Sequence, residues 1–446
     1  MGGMDDRATG AAALKRLRKR RGLSLAGLAR ALTGITQSLH QPSLPAVASI
    51  QRSVARSEAA KPTMPDERYQ LLLAHMYART PAGDLALGAG SDFAEYLQAL
   101  GLLGESEHRT AGLRTTVLRA TTDAGSGVLA LLSPGIHASL AAALADPSQA
   151  DDQTATGLAS VVADVNAEIG SLPLVRLQLL LAPAVEAARQ LLGGAVPPSL
   201  AARLRNIAVA GMALAGRLAF ETRDDAASRA LHAEATREAA TLRPWRQASV
   251  QLSHALVTLY STEGLDGARR LVDQAVRTAQ TGESVLVRAR AHALQAELAA
   301  RCGHDRQAQT ALGLAWYDMD SDHTDDPAPM SFSPSHLRGF EGVCELYVGD
   351  PRAAHDRFAR SAAALTTPRE RVQRAIITTD QALARIRLGE PQAAAELLHD
   401  CVAAASSTGG RVPALRLRQA RRELRPWRRE DWVAHLDDHL TDALGP

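Results

Sequence analysis

The sequence contains few aromatic residues and few cysteines. Only 3% of its 446 residues are aromatic, although 46% are hydrophobic, so alanine, leucine and valine must fill the core. Small and unbranched side chains of this kind favour closely packed helices over sheets. The three cysteines, Cys302, Cys344 and Cys401, lie far apart and form no CxxC pair. This pattern excludes a disulfide framework and predicts buried, reduced thiols in a cytoplasmic protein.

Long apolar segments are also missing. No uninterrupted apolar run approaches the ~20 residues that a membrane-spanning helix needs. Residues 14–21 read LKRLRKRR, which does not fit the apolar part of a secretion signal. We therefore expect no membrane segment and a cytoplasmic location.

Catalytic and cofactor motifs are absent as well. The chain has no GxxxxGK[ST], GxGxxG, HExxH or GxSxG pattern, so we expect neither an enzyme nor a bound cofactor. The acidic stretch DMDSDHTDDP, residues 318–327, could hold a divalent cation. It lacks the glycine and final glutamate of a calcium-binding EF-hand loop, and a solvated acidic loop is the favoured interpretation. We expect no metal site.

Charge is distributed unevenly along the chain. Residues 1–62 carry eleven Lys or Arg and three Asp or Glu, whereas the remainder carries 39 and 45, for a total of +2. A basic N-terminal part on a mildly acidic body indicates a polyanionic partner for the N-terminal part alone.

The basic segment reads as a short helical unit. We expect a disordered tail over residues 1–10 and a compact unit over residues 11–90. Gly22 should end its first helix. Ser24 should cap a second helix, which Gly34 should end. A third helix covers the segment SIQRSVARSEAAK, residues 49–61, with apolar residues turned inward at Val47, Ile50 and Val54.

The opposite face of this third helix has side chains that can bind bases in the major groove of DNA. Ser49, Arg52 and Arg56 fall together there, and arginine binds guanine bidentately in the major groove. No aromatic residue precedes Tyr69, which favours double-stranded over single-stranded DNA. The residues expected to hold backbone phosphates are on or beside the first helix: Lys15, Arg18, Lys19 and Arg21.

Further along, helical hairpins repeat. Gly264, Gly303, Gly349 and Gly389 mark four turns spaced 39, 46 and 40 residues apart. Alanines that follow each turn should lie at the helix crossings: Ala268, Ala308, Ala353 and Ala393. Such a period predicts an all-α fold in which an α-solenoid of hairpins follows the N-terminal unit. We expect a helical linker or the first part of the solenoid over residues 91–220. The repeats should cover residues 221–410, and C-terminal capping helices should cover residues 411–446.

The segment LKRLRKRRGLSLAGLARAL…SVARSEAAKPTMP, within residues 14–65, resembles the helix-turn-helix of phage-repressor-like (XRE-type) regulators. It shares their basic first helix, their Gly-x-Ser and an Arg-x-Glu corner at Arg56 and Glu58 before a proline. Here, however, the turn before the recognition helix is about a dozen residues longer than in that family.

The repeats resemble tetratricopeptide repeats, and the combination is similar to a class of actinobacterial regulators. The resemblance implies a homodimeric transcriptional regulator that binds double-stranded DNA. Its helical array would sense a small molecule, peptide or protein. The alternative is an interaction scaffold whose N-terminal part no longer binds DNA.

Overall fold

The structure is a computed structural model, and all regular secondary structure in its described part is helical. One isolated bridge joins Ile169 to Leu172. The structure describes residues 2–38, 45–81, 83, 86–87, 90–106, 109–110, 113–114, 117, 134–172, 174–261, 264–367, 370–408 and 410–444. No helix among these residues is long and apolar enough to cross a bilayer.

The chain forms two compact units. One comprises residues 1–161 and 178–200, and the other comprises residues 162–177 and 201–446. The helices up to the first boundary are α1 (Gly2–Arg20), α2 (Leu25–Ser38), α3 (Val47–Ser57), α4 (Glu67–Tyr77), α5 (Asp92–Leu102) and α6 (Pro134–Ala145). Three long helices follow: α7 (Asp152–Ala167), α8 (Leu174–Leu192) and α9 (Pro198–Glu221).

The second unit continues with helices joined mostly by short turns. They are α10 (Asp225–Ala239), α11 (Pro244–Ser261), α12 (Asp266–Gln280), α13 (Val285–Arg301), α14 (Asp305–Met319), α15 (Pro334–Val348), α16 (Pro351–Ala364), α17 (Arg371–Arg387), α18 (Pro391–Thr408), α19 (Arg411–Glu423) and α20 (Asp431–Leu444). Short 3₁₀ turns cover Pro147–Gln149 and Arg425–Trp427.

Helix boundaries in the N-terminal unit agree with the sequence at two points. Gly22 has φ +67° and follows the end of α1, because a left-handed residue there costs glycine little. The Ser24 hydroxyl accepts a hydrogen bond of 3.0 Å from the Gly27 amide at the start of α2. Both predictions from these residues are confirmed.

Two other boundaries differ from prediction. α1 begins at Gly2 instead of following a disordered tail over residues 1–10. The helix packs on α5 from Gly10 onward, and a Cβ on Gly10 would lie 2.8 Å from the Ala99 carbonyl oxygen. Gly34 does not end α2, which continues to Ser38, because Leu32 and Thr36 are both buried on one face of the longer helix.

The second unit contains successive helix pairs. α11 packs on α12, α13 on α14, α15 on α16 and α17 on α18. The turn of each pair contains one of the four predicted glycines, and Gly303 and Gly389 have φ +76° and +77°. First helices of neighbouring pairs also pack together, as α13 does on α15. The described chain therefore has a layered helical array.

Buried alanines allow each pair to pack closely. Ala268, Ala308, Ala354 and Ala394 are fully buried and lie 40, 46 and 40 residues apart. The prediction placed two of these contacts one residue earlier, at Ala353 and Ala393, which are only half-buried. The buried alanine therefore falls five residues after the turn glycine in the last three pairs and four residues after it in the first.

The acidic stretch is partly buried, which corrects the interpretation of it as a solvated loop. Asp326 accepts hydrogen bonds from the Ser284 hydroxyl at 2.7 Å and the Leu286 amide at 3.0 Å. Asp318 accepts one of 2.8 Å from the Arg288 guanidinium. The Asp326 contacts tie the long connection after α14 to α13, and the Asp318 contact ties α14 itself to α13. Within the described residues, no three His, Cys, Asp or Glu side chains form a group that could hold a metal.

The cysteines are free thiols, and two of them are buried. Burial raises the pKa of Cys344 to about 12 and that of Cys401 to about 11, so both remain protonated at neutral pH. Cys302 is partly exposed at the end of α13, which corrects the prediction that all three are buried.

A tight glycine contact on α15 should be sensitive to substitution. A Cβ on Gly342 would lie 2.6 Å from the ring of Phe358, which is fully buried on α16. We expect Gly342→Ala to lower the free energy of unfolding by ~1–3 kcal/mol, because the ring must move within a packed core. The control is Gly313→Ala on α14, where a Cβ meets nothing within 4 Å. It should be neutral or stabilising by ~0.5–1 kcal/mol. Urea denaturation measures both, and equal effects would contradict the expected contact.

A buried histidine should make stability depend on pH. His232 is fully buried, its Nδ1 lies 2.9 Å from the Ser228 carbonyl oxygen, and burial lowers its pKa to about 4. Since the unfolded chain binds the proton first, stability should fall as pH drops from about 6.5 to about 4, by up to ~3 kcal/mol.

The measurement is the slope of the unfolding free energy against pH, compared between the unchanged protein and two variants. His232→Gln should flatten the slope in this window, whereas His304→Gln, a change at an exposed position, should leave it as it is. If the slope in His232→Gln is unchanged, groups other than His232 cause the pH dependence.

Candidate nucleic-acid interface

Helix α3 has one buried face and one exposed face. Ile50 is fully buried and Val54 is 7% exposed, and the helix packs against α2 through this side. Arg52 and Arg56 are exposed on the other side, with Ser49 partly exposed beside them. Ile50 and Val54 thus face inward, and Ser49, Arg52 and Arg56 lie on the opposite side, as predicted from the helical period.

The two exposed arginines are one turn apart. A Nη atom of Arg52 donates a hydrogen bond of 3.1 Å to the Ser49 hydroxyl. In the described part of the chain, no carboxylate lies within ion-pair distance of Arg52 or Arg56. Four residues of helix separate the two Cα atoms by about 6 Å, so both guanidinium groups can reach one groove of a duplex.

Arg18 has a different role from the one predicted. Its Nε and Nη2 atoms donate to the two oxygens of Glu58 at 2.7 and 2.6 Å, and its Nη1 atom donates to the Leu23 carbonyl at 2.8 Å. Arg18 is only 7% exposed, and the hydrogen bonds to Glu58 raise its pKa. Arg18 holds the end of α3 against α1 and cannot contact phosphate.

Arg21 is also removed from the predicted phosphate contacts. Its Nε donates to Asp92 at 2.5 Å, its Nη2 donates to the Arg79 carbonyl at 2.5 Å, and the guanidinium lies over the Tyr77 ring. The side chain is 10% exposed. Arg21 therefore fastens the end of α1 to the start of α5.

The other cations between residues 15 and 20 of α1 fall into two groups. Arg16 and Arg20 form ion pairs with Glu95 of α5. Lys15 and Lys19 are exposed and have no carboxylate partner among the described residues. Only these two lysines of the four predicted phosphate-binding residues remain accessible.

Sequence reasoning overlooked two further cations. Arg30 on α2 and Lys61 after α3 are exposed, and neither has an acidic partner among the residues that the structure covers. The local excess of positive charge was the available signal, but it does not separate these positions from Arg18 or Arg21.

The turn between α2 and α3 is shorter than predicted because α2 extends to Ser38. At most residues 39–46 separate the two helices, and residues 39–44 lie outside the described part. α3 nevertheless has a defined position, because its apolar face is buried and the adjacent Glu58 is paired with Arg18.

The Arg18–Glu58 pair should contribute strongly to the stability of the N-terminal unit. Removing one partner leaves a buried charge unpaired, so Arg18→Met and Glu58→Gln should each cost ~3–5 kcal/mol. The double variant should cost less than the sum of the two. Arg16→Ala, which breaks a pair whose arginine is 63% exposed, should cost at most ~1 kcal/mol. Additive losses in the double variant, measured by urea denaturation, would show that the two residues do not interact.

Comparisons with models of protein families, with curated proteins and with solved structures found no match for this chain.

Proposed function

We propose that the chain is an XRE-type transcriptional regulator that binds double-stranded DNA through α3. Its tetratricopeptide-like array would bind a small molecule, peptide or protein and mediate homodimerisation. The observation that carries this proposal is the pair Arg52 and Arg56. Both project from the exposed face of a helix whose other face is packed, and no described carboxylate neutralises either of them.

The division of charge in the N-terminal unit supports this proposal. Arg18 and Arg21 are held in internal ion pairs, so the exposed cations of this region that have no described acidic partner include Lys15, Lys19, Arg30, Lys61 and the two arginines of α3. Lysines bind phosphates without reading sequence, whereas paired arginines can read guanine. Regulators of this type bind two half-sites ~34 Å apart, which requires a dimer.

A protein interaction scaffold is the second candidate. Eight residues of the sequence lie between Ser38 and Val47, more than the three- or four-residue turn of a standard helix-turn-helix, and residues 39–44 lie outside the described part. A scaffold would use the helical array to hold a partner protein and would have no sequence preference for DNA.

Selection of sites from random duplex DNA by the full-length chain distinguishes the two candidates. On a selected site, Arg52→Ala and Arg56→Ala should each cost ~1–3 kcal/mol of binding free energy and relax the preference at one position. Lys19→Ala should weaken all sequences alike and reduce the salt slope by about 0.9. Fluorescence anisotropy over a range of salt concentrations measures these effects.

Arg109→Ala is the matched control, because Arg109 is paired with Glu67 in the same unit and lies off α1 and α3. It should leave the affinity unchanged. If no sequence is enriched and no duplex binds even at ~50 mM salt, where phosphate contacts are strongest, the regulator proposal fails and the scaffold is favoured.

A further inference from the structure

A groove opens between the second helices of two neighbouring pairs in the array. It has a volume of about 350 Å³ and lies between α12 and α14, over α13. Its floor consists of the buried apolar residues Val272, Leu298 and Ala311, and one wall is Leu314, which is 43% exposed. A volume of this size is within the range of small-molecule sites.

The polar groups at the rim of the groove carry net positive charge. Arg269 of α12 and Arg306 of α14 border it, and neither has a carboxylate within ion-pair distance in the described residues. The one carboxylate of the lining, Asp273, accepts a hydrogen bond of 3.2 Å from Gln295. Two guanidinium groups thus face a mostly apolar floor.

The space between the first helices of the array and α19 is filled by side chains. Arg416 of α19 pairs with Asp380 of α17, and both are at most 5% exposed. Phe220 and Val412 belong to one buried cluster, so the beginning and the end of the second unit meet there. The groove between α12 and α14 is therefore the more accessible place for a ligand.

We propose that this groove binds a small amphipathic organic anion, with an apolar body and one carboxylate. A guanidinium group binds a carboxylate through two parallel hydrogen bonds. The apolar body would cover Val272 and Leu298, and a volume of about 350 Å³ holds a molecule of roughly 15–20 non-hydrogen atoms. A role for this site in controlling DNA binding rests on the proposed function; ligand binding itself does not.

Calorimetry on the full-length chain without DNA tests the proposal. The probes are dodecanoate and biphenyl-4-carboxylate, each compared with its amide. At least one carboxylate should bind with a dissociation constant below about 1 mM, and its amide at least about tenfold more weakly. The proposal is overturned if neither carboxylate binds, or if acid and amide bind equally.

Variants locate the site. Arg269→Gln and Arg306→Gln should each weaken binding about tenfold. Arg270→Gln is the matched control, because Arg270 is exposed on the same helix but does not line the groove. Thr310→Trp should block the groove, whereas Gln309→Trp, one residue away and outside the lining, should not. Equal losses in variant and control would place the ligand elsewhere.

Anisotropy with a selected DNA site then separates the two proposals. Ligand binding that survives loss of DNA binding in Arg52→Ala would leave the groove assignment intact. A change in DNA affinity on ligand addition would identify the ligand as an effector.

Discussion

Two oxygens of one buried carboxylate, Glu58, receive two hydrogen bonds from Arg18, and the orientation of α3 depends on this contact. The two residues are 40 positions apart in sequence, and their pair joins α1 to the end of α3. A buried ion pair is costly to break because the remaining partner loses both water and its counter-charge. The two residues of the Arg-x-Glu corner therefore have different roles. Glu58 holds the end of α3 against α1 through Arg18, whereas Arg56 is exposed to solvent.

The difference between paired and exposed arginines explains why the net charge of a segment does not predict which of its residues form an interface. The first 62 residues are strongly basic, yet their arginines differ in what they contact. Arg18 and Arg21 are held by Glu58 and Asp92, and the latter lies outside the basic segment in sequence. Only the folded arrangement brings Asp92 to the end of α1. The candidate interface is consequently smaller than the charge distribution suggested, because it loses Arg18 and Arg21 and retains the two arginines of α3 with Lys15, Lys19, Arg30 and Lys61.

Local features of the fold were predictable from sequence because they depend on neighbouring residues. The glycine after α1, the Ser24 cap and the buried face of α3 follow from backbone conformation and helical period. Gly34 was misread because burial of Leu32 and Thr36 stabilises a longer helix despite the glycine. Within the candidate site, exposure of Arg52 and Arg56 followed from periodicity. Pairing of Arg18 did not, since it requires knowledge of which helices touch.

In an array that consists largely of alanine and leucine, the packing side chains differ little in size and shape. They therefore define the register between neighbouring helices only weakly. Many offsets of two such surfaces would bury similar areas, so the apolar packing alone specifies a register weakly. The contact of Gly342 with Phe358 admits only one offset, because a larger residue opposite the ring would overlap it. The buried pair of Asp380 with Arg416 acts in the same direction, since a shifted helix would leave a buried charge unpaired. These few contacts therefore specify the packing that the abundant small residues permit.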